Sequence, residues 1–468
     1  MKKTPRKVLL INMPSSIGVY KKSKIKVAVA PRPFLSLATL AASVLQSKND
    51  AKVLDLQLST EPIRDIYKTI KNYQPDIAGL TFTTPLFHEA KRIASFIRKN
   101  FPAIAIISGG AHTSIMPEQV LKETDIDIAV FGEGDITIQE IVNGRQLVGI
   151  KGIAYKNKGK VKRNPPRPLI QDLDTLPFPA WHLFPVEKYK NPKIMTQKNP
   201  VGTIETSRGC VFGCTYCNKK VFGRVFRKKS AKRVVEEFEH LKKSGFNEVH
   251  VWDDMFSTDL QRAKDICDEI TKRKLGISWQ LDCGVRVNSV DQEFFYKLKQ
   301  AGCYKVAFGF ESGNQKILNR INKGILLEQS LNALRMAKKA GLETIGFFML
   351  GLPDETLETM NDTINFAIKL DPDYAKTTLL VPYPGTDIYN EWKSSGVIKS
   401  EDWSKYNDHS PSKVYNHPNL DWKTLERYYN LFYRKFYLRT GYIARRFVRS
   451  LFKGELLHDA YYAIKTFT

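Results

Sequence analysis

The sequence predicts an α/β protein of two parallel-sheet units, a doubly wound Rossmann-like domain followed by a partial (β/α)6 barrel of TIM type, ending in a helical tail. Three observations carry this. Short apolar runs alternate with helically spaced segments over residues 1–145. The alternation resumes as six strand–helix units over 201–395. Beyond 396 the chain turns basic, aromatic and helical in spacing.

In the first domain, KVLLINM (7–13) is an apolar run fit for a buried parallel strand. PFLSLATLAASVLQ (33–46) follows with helical spacing and a proline near its start. AKVLDLQ (51–57), a helix over 61–72 and DIAGLTFTT (76–84) continue the pattern. A helix over 86–99 leads to AIAIISGG (103–110), and a last unit ends in DIAVFGEGD (127–135) and a helix. Five strands separated by helices make an open doubly wound sheet, whose ligands bind at the carboxyl ends of the strands. The small and polar turns NMPSS, TFTT, SGGAH and GEGD fall on that edge.

Residues 146–200 hold a short basic hairpin and a proline-rich stretch, and are expected to be a linker packing across both domains. From 201 the strands VGTIETS, NEVHVWDD, SWQLDC, YKVAFGFES, ETIGFFMLG and YAKTTLLVPYP are each followed by a helix. Six units are too few for a closed eight-stranded barrel, so the site is expected at the carboxyl ends of an open one. Cys210, Asp253–Asp254, Glu311 and Gly351 all lie on that edge. In the carboxyl-terminal region, 396–468, apolar residues recur at 425, 429, 432, 436, 443, 447 and 451. Lys or Arg stands at 423, 427, 434, 435, 439, 445, 446, 449 and 453. This predicts one or two basic amphipathic helices, broken at Gly441. They would either meet a membrane surface or apolar substrate, or pack back on the barrel with the basic face in water.

The 468 residues suffice for two or three domains, and 42% hydrophobic with 26% charged residues argues against disorder. No signal peptide or membrane-spanning run is read, so the expected location is the cytoplasm, with a peripheral place on the inner membrane face open to the tail. A formal net charge of +25 suits an anionic partner, or simply solubility. The six cysteines are not a secreted disulfide pattern: none precedes Cys210, and three fall within eight positions. Cys267, Cys283 and Cys303 read as buried small hydrophobes.

The decisive stretch is TSRGCVFGCTYCNK, which places Cys210, Cys214 and Cys217 as C-x3-C-x2-C. Thiolates on a short Gly-containing loop can ligate three irons of a 4Fe–4S cube and leave the fourth open. Zinc is the competitor, but it would take a fourth Cys or His and favours paired CxxC units. Tyr216, just before the third cysteine, is suited to packing near a cofactor.

Here the chain resembles the radical S-adenosylmethionine superfamily, whose hallmark is CxxxCxxC with an aromatic before the last cysteine; the resemblance covers about 201–393. It implies that the open iron chelates S-adenosylmethionine. Reduction by an electron donor of flavodoxin or ferredoxin type then releases a 5′-deoxyadenosyl radical that abstracts hydrogen from a substrate. VWDDMFS, GFESGNQKILNRINKG, FFMLGLPDET and VPYPGTDIY are similar to the cobalamin-associated branch, which includes methylases and an anaerobic Mg-protoporphyrin ester cyclase. By that resemblance Glu311 lies near the amino or ribose groups of S-adenosylmethionine, and Gly351, Pro353 and Glu355 near its adenine. A bland alternative stands beside each: Glu311 capping the helix near Gln315, Gly351 in a turn, Asp253 and Asp254 capping the next helix.

The first domain resembles the cobalamin-binding domain placed before such barrels. Thr81, Thr83, Gly109, Gly110, His112, Gly132 and Glu133 are the implied cobalamin contacts. A D-x-H-x-x-G motif is absent from NMPSSIGVYKK (12–22), so no histidine from that motif reaches cobalt, and no G-x-G-x-x-G follows the first strand. The leading expectation is methylation of an unactivated carbon, or cyclisation or oxidation, of a small lipid-like or porphyrin-like substrate, nucleic acid being set aside; no catalytic side chain is assigned. A radical methylthiotransferase of RNA or protein would carry amino-terminal cysteines for a second cluster, and this chain has none. A non-catalytic cobalamin or membrane-surface binding protein is the third reading, against which the intact cysteines speak.

Overall fold

A computed structural model describes residues 4–14, 30–407 and 414–453. Most of the histidine-free loop (15–22) and the end of the tail (454–468) lie outside the described residues. The chain divides into two compact units: Met1–Lys21, Pro31–Lys188 and Lys219–Gly223 form one, and Lys22–Ala30, Tyr189–Asn218 and Arg224–Thr468 the other.

The first unit runs β1 (Lys7–Asn12), α1 (Leu35–Gln46), β2 (Asp50–Asp55), α2 (Pro62–Tyr73), β3 (Ile77–Thr81), α3 (Phe87–Asn100) and β4 (Ala105–Gly109). The short helices α4 (Ala111–Ile115) and α5 (Pro117–Glu123) lead to β5 (Ile128–Val130), α6 (Asp135–Val142) and the hairpin β6 (Ile153–Asn157)–β7 (Lys160–Arg163). The sheet order is β2-β1-β3-β4-β5-β6-β7. The first five strands are parallel, and the near-continuous burial of β1 and β3 is what helices on both faces require. The hairpin at 153–163 is more than part of a linker. It pairs antiparallel with β5 and extends the domain's own sheet. Chain order reverses between β1 and β3, which opens a crevice at Asn12 and Thr81.

The second unit begins with β8 (Val201–Ile204) and a two-stranded ribbon, β9 (Ser207–Arg208) and β10 (Arg227–Lys228). It continues with α7 (Ala231–Lys243), β11 (Glu248–Val251), α8 (Leu260–Lys272), β12 (Ser278–Val285), α9 (Gln292–Gln300) and β13 (Cys303–Glu311). Then come α10 (Gln315–Arg320), α11 (Leu327–Lys339), β14 (Glu343–Leu350), α12 (Leu357–Leu370), β15 (Tyr374–Leu379) and α13 (Asp387–Ser394). The six main strands pair in chain order, β8-β11-β12-β13-β14-β15, every neighbour parallel. This is the expected open (β/α)6 barrel. Caps set the helix starts: Ser230, Asp259 and Asp291 accept the amides of Arg233, Arg262 and Phe294.

The tail forms α14 (Trp422–Tyr437) and α15 (Thr440–Lys453). Contrary to expectation the break falls at Leu438–Arg439, and Gly441 lies inside the first turn of α15. Helix α14 covers the open edge of the barrel. Tyr437 Oη accepts the N–H of Ala375 at 3.0 Å and donates to its carbonyl at 2.8 Å. Tyr433 does the same to Thr377 at 3.2 and 3.0 Å. Four residues of helix rise about 6 Å and two of strand about 6.6 Å, so tyrosines at i and i+4 match strand residues at i and i+2. Phe432 of the same helix packs on Phe348, ring centroids 5.3 Å apart.

Candidate functional site

The three cysteines sit on the loop that follows β8 and the short β9, and the barrel holds this loop from the ends of β11, β12 and β15 and from the turn after α10. At its base the buried Asp253 accepts the Thr206 amide at 2.5 Å and the Ser207 hydroxyl at 2.6 Å, and also takes the Thr206 hydroxyl. Asp254 accepts the Gly209 amide at 2.9 Å. Both acids follow β11, and the cap of the next helix is Asp259, so serving the cysteine loop is their structural task. Arg262 donates to the carbonyls of Thr206 and Lys229, at 2.5 and 2.7 Å. The ribbon pairs Ser207 with Lys228 and Arg208 with Arg227.

Further along, the guanidinium of Arg286, after β12, lies 3.6 Å from the centroid of the Phe212 ring. The turn after α10 contributes Ile321, whose carbonyl accepts the Thr215 amide at 3.0 Å, and Asn322, whose amide donates to Gly213 O at 3.1 Å. After β15, Pro384 O accepts from Asn218 at 3.2 Å and the Ile388 amide donates to Thr215 O at 3.2 Å. Cys214 is buried, Cys210 half-buried and Cys217 exposed. Among the described residues no three His, Cys, Asp or Glu side chains converge as ligands of a single ion. A 4Fe–4S cube instead takes each thiolate on a different iron, and this donor set of three soft thiolates on one braced loop fits it.

Beside the loop, at the end of β13, Glu311 adopts a left-handed backbone with φ +64°. Its Oε1 lies 2.8 Å from Lys323 Nζ, and that ammonium donates to Tyr216 Oη at 3.3 Å. Burial, then the charges of Glu311, Cys214 and Cys217, push the Tyr216 phenol well above its ordinary value. Gly309 makes room for the pair, since a Cβ there would stand 2.5 Å from Glu311 Oε1 and 3.1 Å from Lys323 Nζ. The cap of α10 is Asn314, so Glu311 is not serving as a helix cap. A carboxylate, an ammonium and a phenol at the edge of the cysteine loop suit the charged and hydroxylated groups of a cofactor.

Gly351, with φ +76°, ends β14. Glu355 is fully buried and accepts the amides of Gly351 at 2.6 Å and Leu352 at 3.0 Å. Burial without a cation pushes its carboxyl up to about 8. Tyr415 stands over the turn: a Cβ on Gly351 would lie 3.2 Å from its hydroxyl. Pro353 is buried too. Glu355 thus holds the Gly351 turn from inside.

In the first unit Thr81, Thr83, Gly109, Gly110 and Gly132 stand on the carboxyl edge of the sheet, none of them fully buried. Gly110 needs its φ of +95°, and a Cβ there would stand 2.8 Å from Thr81 Oγ1 and 3.2 Å from Phe82 O. His112 and Glu133 lie beneath that edge. The His112 ring is fully buried against Phe82 and Phe87, centroids 5.9 and 5.0 Å away, with Nδ1 3.2 Å from Thr84 Oγ1. Burial lowers its pKa to about 4, so it is neutral at pH 7. Glu133 accepts the Ile170 amide at 2.7 Å. Glycines after β4 and β5, beside the switch of strand order between β1 and β3, suit the edge of the sheet to a large flat ligand with a phosphate-bearing tail.

Sequence reasoning missed Lys323, Asn322, Arg286 and the exact role of Asp253. Only the basic residue and glycine of INKG offered a signal, and nothing in it named the partner.

Comparison with known proteins agrees with the geometry. Residues 204–367 match the radical SAM superfamily, and residues 29–142 match the B12 binding domain. A protein of Pyrococcus horikoshii described as an uncharacterized methyltransferase is 37% identical over 463 residues, 96% of this chain and 98% of its own. The anaerobic magnesium-protoporphyrin IX monomethyl ester cyclase of Rubrivivax gelatinosus is 32% identical over 76% of this chain and 64% of its own. The structure of the radical S-adenosylmethionine methyltransferase TsrM from Kitasatospora setae, with cobalamin and a 4Fe–4S cluster bound, superposes with a TM-score of 0.69. It covers 85% of this chain and 79% of that one at 21% identity, a likeness of fold.

Proposed function

The chain belongs to the radical SAM superfamily, in the branch whose barrel follows a B12-binding domain, and from that premise we propose that it methylates an unactivated carbon of a small apolar or porphyrin-like molecule. It is an enzyme, and its cofactors are a 4Fe–4S cluster, S-adenosylmethionine and cobalamin. When bound, the cluster supplies the electron that cleaves S-adenosylmethionine, and cobalamin supplies a methyl carrier. The protein's own contribution is placement. Cys210, Cys214 and Cys217 would hold the cluster on a loop braced by Asp253, Asp254, Asn322 and Arg286. Glu311, with Lys323 and Tyr216, would receive the polar end of S-adenosylmethionine, and the Gly351 turn its adenine. Thr81, Thr83, Gly109, Gly110 and Gly132 would line the cobalamin edge, with His112 and Glu133 supporting it from below.

The observation that carries the reading is the cysteine loop hung from three strand ends and the turn after α10, in a chain that aligns almost end to end with a methyltransferase relative. The inner wall of the barrel supports the substrate class. Trp252 is half exposed there and donates to Asp282 at 3.2 Å. Phe347 and Met349 alternate with Phe348 and Leu350, which are buried on the helix side. Lys376 pairs in register with Phe347 and suits a carboxylate or phosphate on the substrate. The electron would come from a flavodoxin- or ferredoxin-type donor. No helix among the described residues is long and apolar enough to cross a membrane, and the tail suits a peripheral place on one.

The test is anaerobic reconstitution followed by assay for iron, cobalt and 5′-deoxyadenosine, with methyl-labelled S-adenosylmethionine and candidate porphyrins and lipids. Label in a product heavier by one CH2, lost in Cys214→Ala, supports methylation. Deoxyadenosine with a cyclised product that carries no methyl label would move the assignment to the cyclase reaction. Absence of iron would overturn both.

A further inference from the structure

Helix α15 is mounted the opposite way round from an ordinary surface helix. Its arginines face the amino-terminal rim of the barrel strands, Arg446 and Arg449 half-buried against it and Arg445 exposed at its margin. Arg445 meets Asp371 at 2.6 Å, Arg446 donates to Tyr374 Oη at 2.7 Å, and Arg449 meets Asp373 at 2.9 Å and also pairs with Glu343. Tyr442 Oη donates to Asp373 O at 2.9 Å. These contacts fix the rotation of the helix. The face left outward carries Ile443, Phe447, Val448, Leu451 and Phe452, each between 51% and 89% exposed. Their spacing of four, five, eight and nine residues from the first places them in one stripe along a helix about 21 Å long. Leu438, in the turn before α15, is likewise 52% exposed.

Large apolar side chains in a contiguous exposed stripe mark a surface meant to be covered. The charge of the protein narrows what covers it. The net charge is +25, and Arg434 and Lys435 are exposed on the last turns of α14, just ahead of the stripe. A second copy of the chain would bring like charge to like. An anionic bilayer surface supplies both an apolar layer a few ångströms deep and the opposite charge. We infer that α15 is an in-plane membrane anchor, inserting the Ile443–Phe447–Leu451–Phe452 ridge at an anionic lipid interface while Arg434 and Lys435 face the headgroups. This deepens the peripheral placement proposed above and is independent of the radical chemistry.

Full-length protein is sedimented with neutral phosphatidylcholine vesicles and with vesicles containing anionic phosphatidylglycerol, at low and high salt. The expected result is binding to the anionic vesicles, weakened by salt. The variant Phe447→Ser/Leu451→Ser/Phe452→Ser should bind about ten-fold more weakly or worse. These side chains are exposed, so the variant should keep the parental circular dichroism and its 5′-deoxyadenosine yield. Arg434→Glu/Lys435→Glu should lose the preference for anionic over neutral vesicles. Failure of the full chain to bind either vesicle, or binding indifferent to the ridge substitutions, overturns the inference. So does a dimer in gel filtration that the triple variant dissolves, since it would assign the ridge to a second copy. A vesicle-binding chain that makes no deoxyadenosine would leave the anchor standing and sink the enzymatic reading alone.

Discussion

Asp253 receives both the amide and the hydroxyl of Thr206, four residues before the first cysteine of the cluster loop. With Ser207 it gathers three donors on one buried carboxylate, so the loop starts from a fixed point just past the end of β11. Asp253→Ala would strand those donors, at a cost of about 2–4 kcal/mol. We expect iron per chain after reconstitution to fall by about half or more, and the unfolding midpoint to drop with it. Asp253→Asn, which keeps the shape and one acceptor, should lie in between. Full iron content and an unchanged midpoint in the alanine variant would show that the loop is held elsewhere.

The pair Glu311–Lys323 is largely removed from solvent, both side chains being about one-tenth exposed. Breaking it from one side, by Glu311→Gln or Lys323→Met, should cost about 1–3 kcal/mol. The double variant should recover much of that sum, because no uncompensated charge is then left inside. Binding of S-adenosylmethionine, measured by equilibrium dialysis, should fall in Glu311→Gln and stay low in the double variant. Recovery of binding together with stability would reduce the pair to a structural contact.

At the edge of the first sheet, Gly110→Ala would place a Cβ against Thr81 Oγ1 in a backbone with φ +95°. The strain is of order 1–3 kcal/mol. Uptake of cobalamin, followed by its absorbance, should weaken more than the folding of the domain does, since the turn lies on the ligand edge. Equal uptake would move the cobalamin contacts away from it.

Much of this was legible because parallel strands buried on both faces must be nearly continuous apolar runs, as KVLLIN and IAGLT are. The cysteine spacing was legible because one loop carries the whole donor set. The hairpin β6–β7 hid its place in the sheet, since KVKR is polar and its partner is chosen by the fold. Lys323, Asn322 and Arg286 were invisible as loop braces for a similar reason: each reaches the loop from more than 70 residues away. Periodicity found the stripes of α15, but which stripe turns inward is decided by Asp371, Asp373 and Glu343 on the barrel rim. Glu355 was placed near the adenine by resemblance alone, and a carboxylate beside a glycine turn gives no sign in the sequence that it also accepts the turn's own amides.

The tyrosine staple on β15 makes its own prediction. Tyr437→Phe removes one donor and one acceptor from Ala375 and should cost about 1–2 kcal/mol, and Tyr433→Phe a similar amount at Thr377. Together they would free the last strand's edge for pairing with other chains. Denaturant unfolding and light scattering should show the double variant both less stable and more prone to associate. A stable, monodisperse double variant would mean that the aromatic packing of α14, through Phe432 and Phe436, closes the edge unaided.

The strongest pH dependence should come from Glu355. Its carboxyl is raised from an ordinary 4.5 to about 8 in the folded protein, so the folded state holds a proton that the unfolded state has released. Stability from this group is therefore fully present below about 4.5 and declines as pH rises through the folded value. At 1.36 kcal/mol per unit the whole loss is roughly 4–5 kcal/mol. Glu355→Gln keeps an oxygen for the Gly351 and Leu352 amides and cannot ionise. The variant should match the parent at the acid end, and by about pH 8 it should unfold at a distinctly higher denaturant concentration. If the two midpoints run parallel across the range, the carboxyl is already ionised at low pH. The Tyr415 hydroxyl, which stands over the same turn, would then be its proton donor rather than its neutral neighbour.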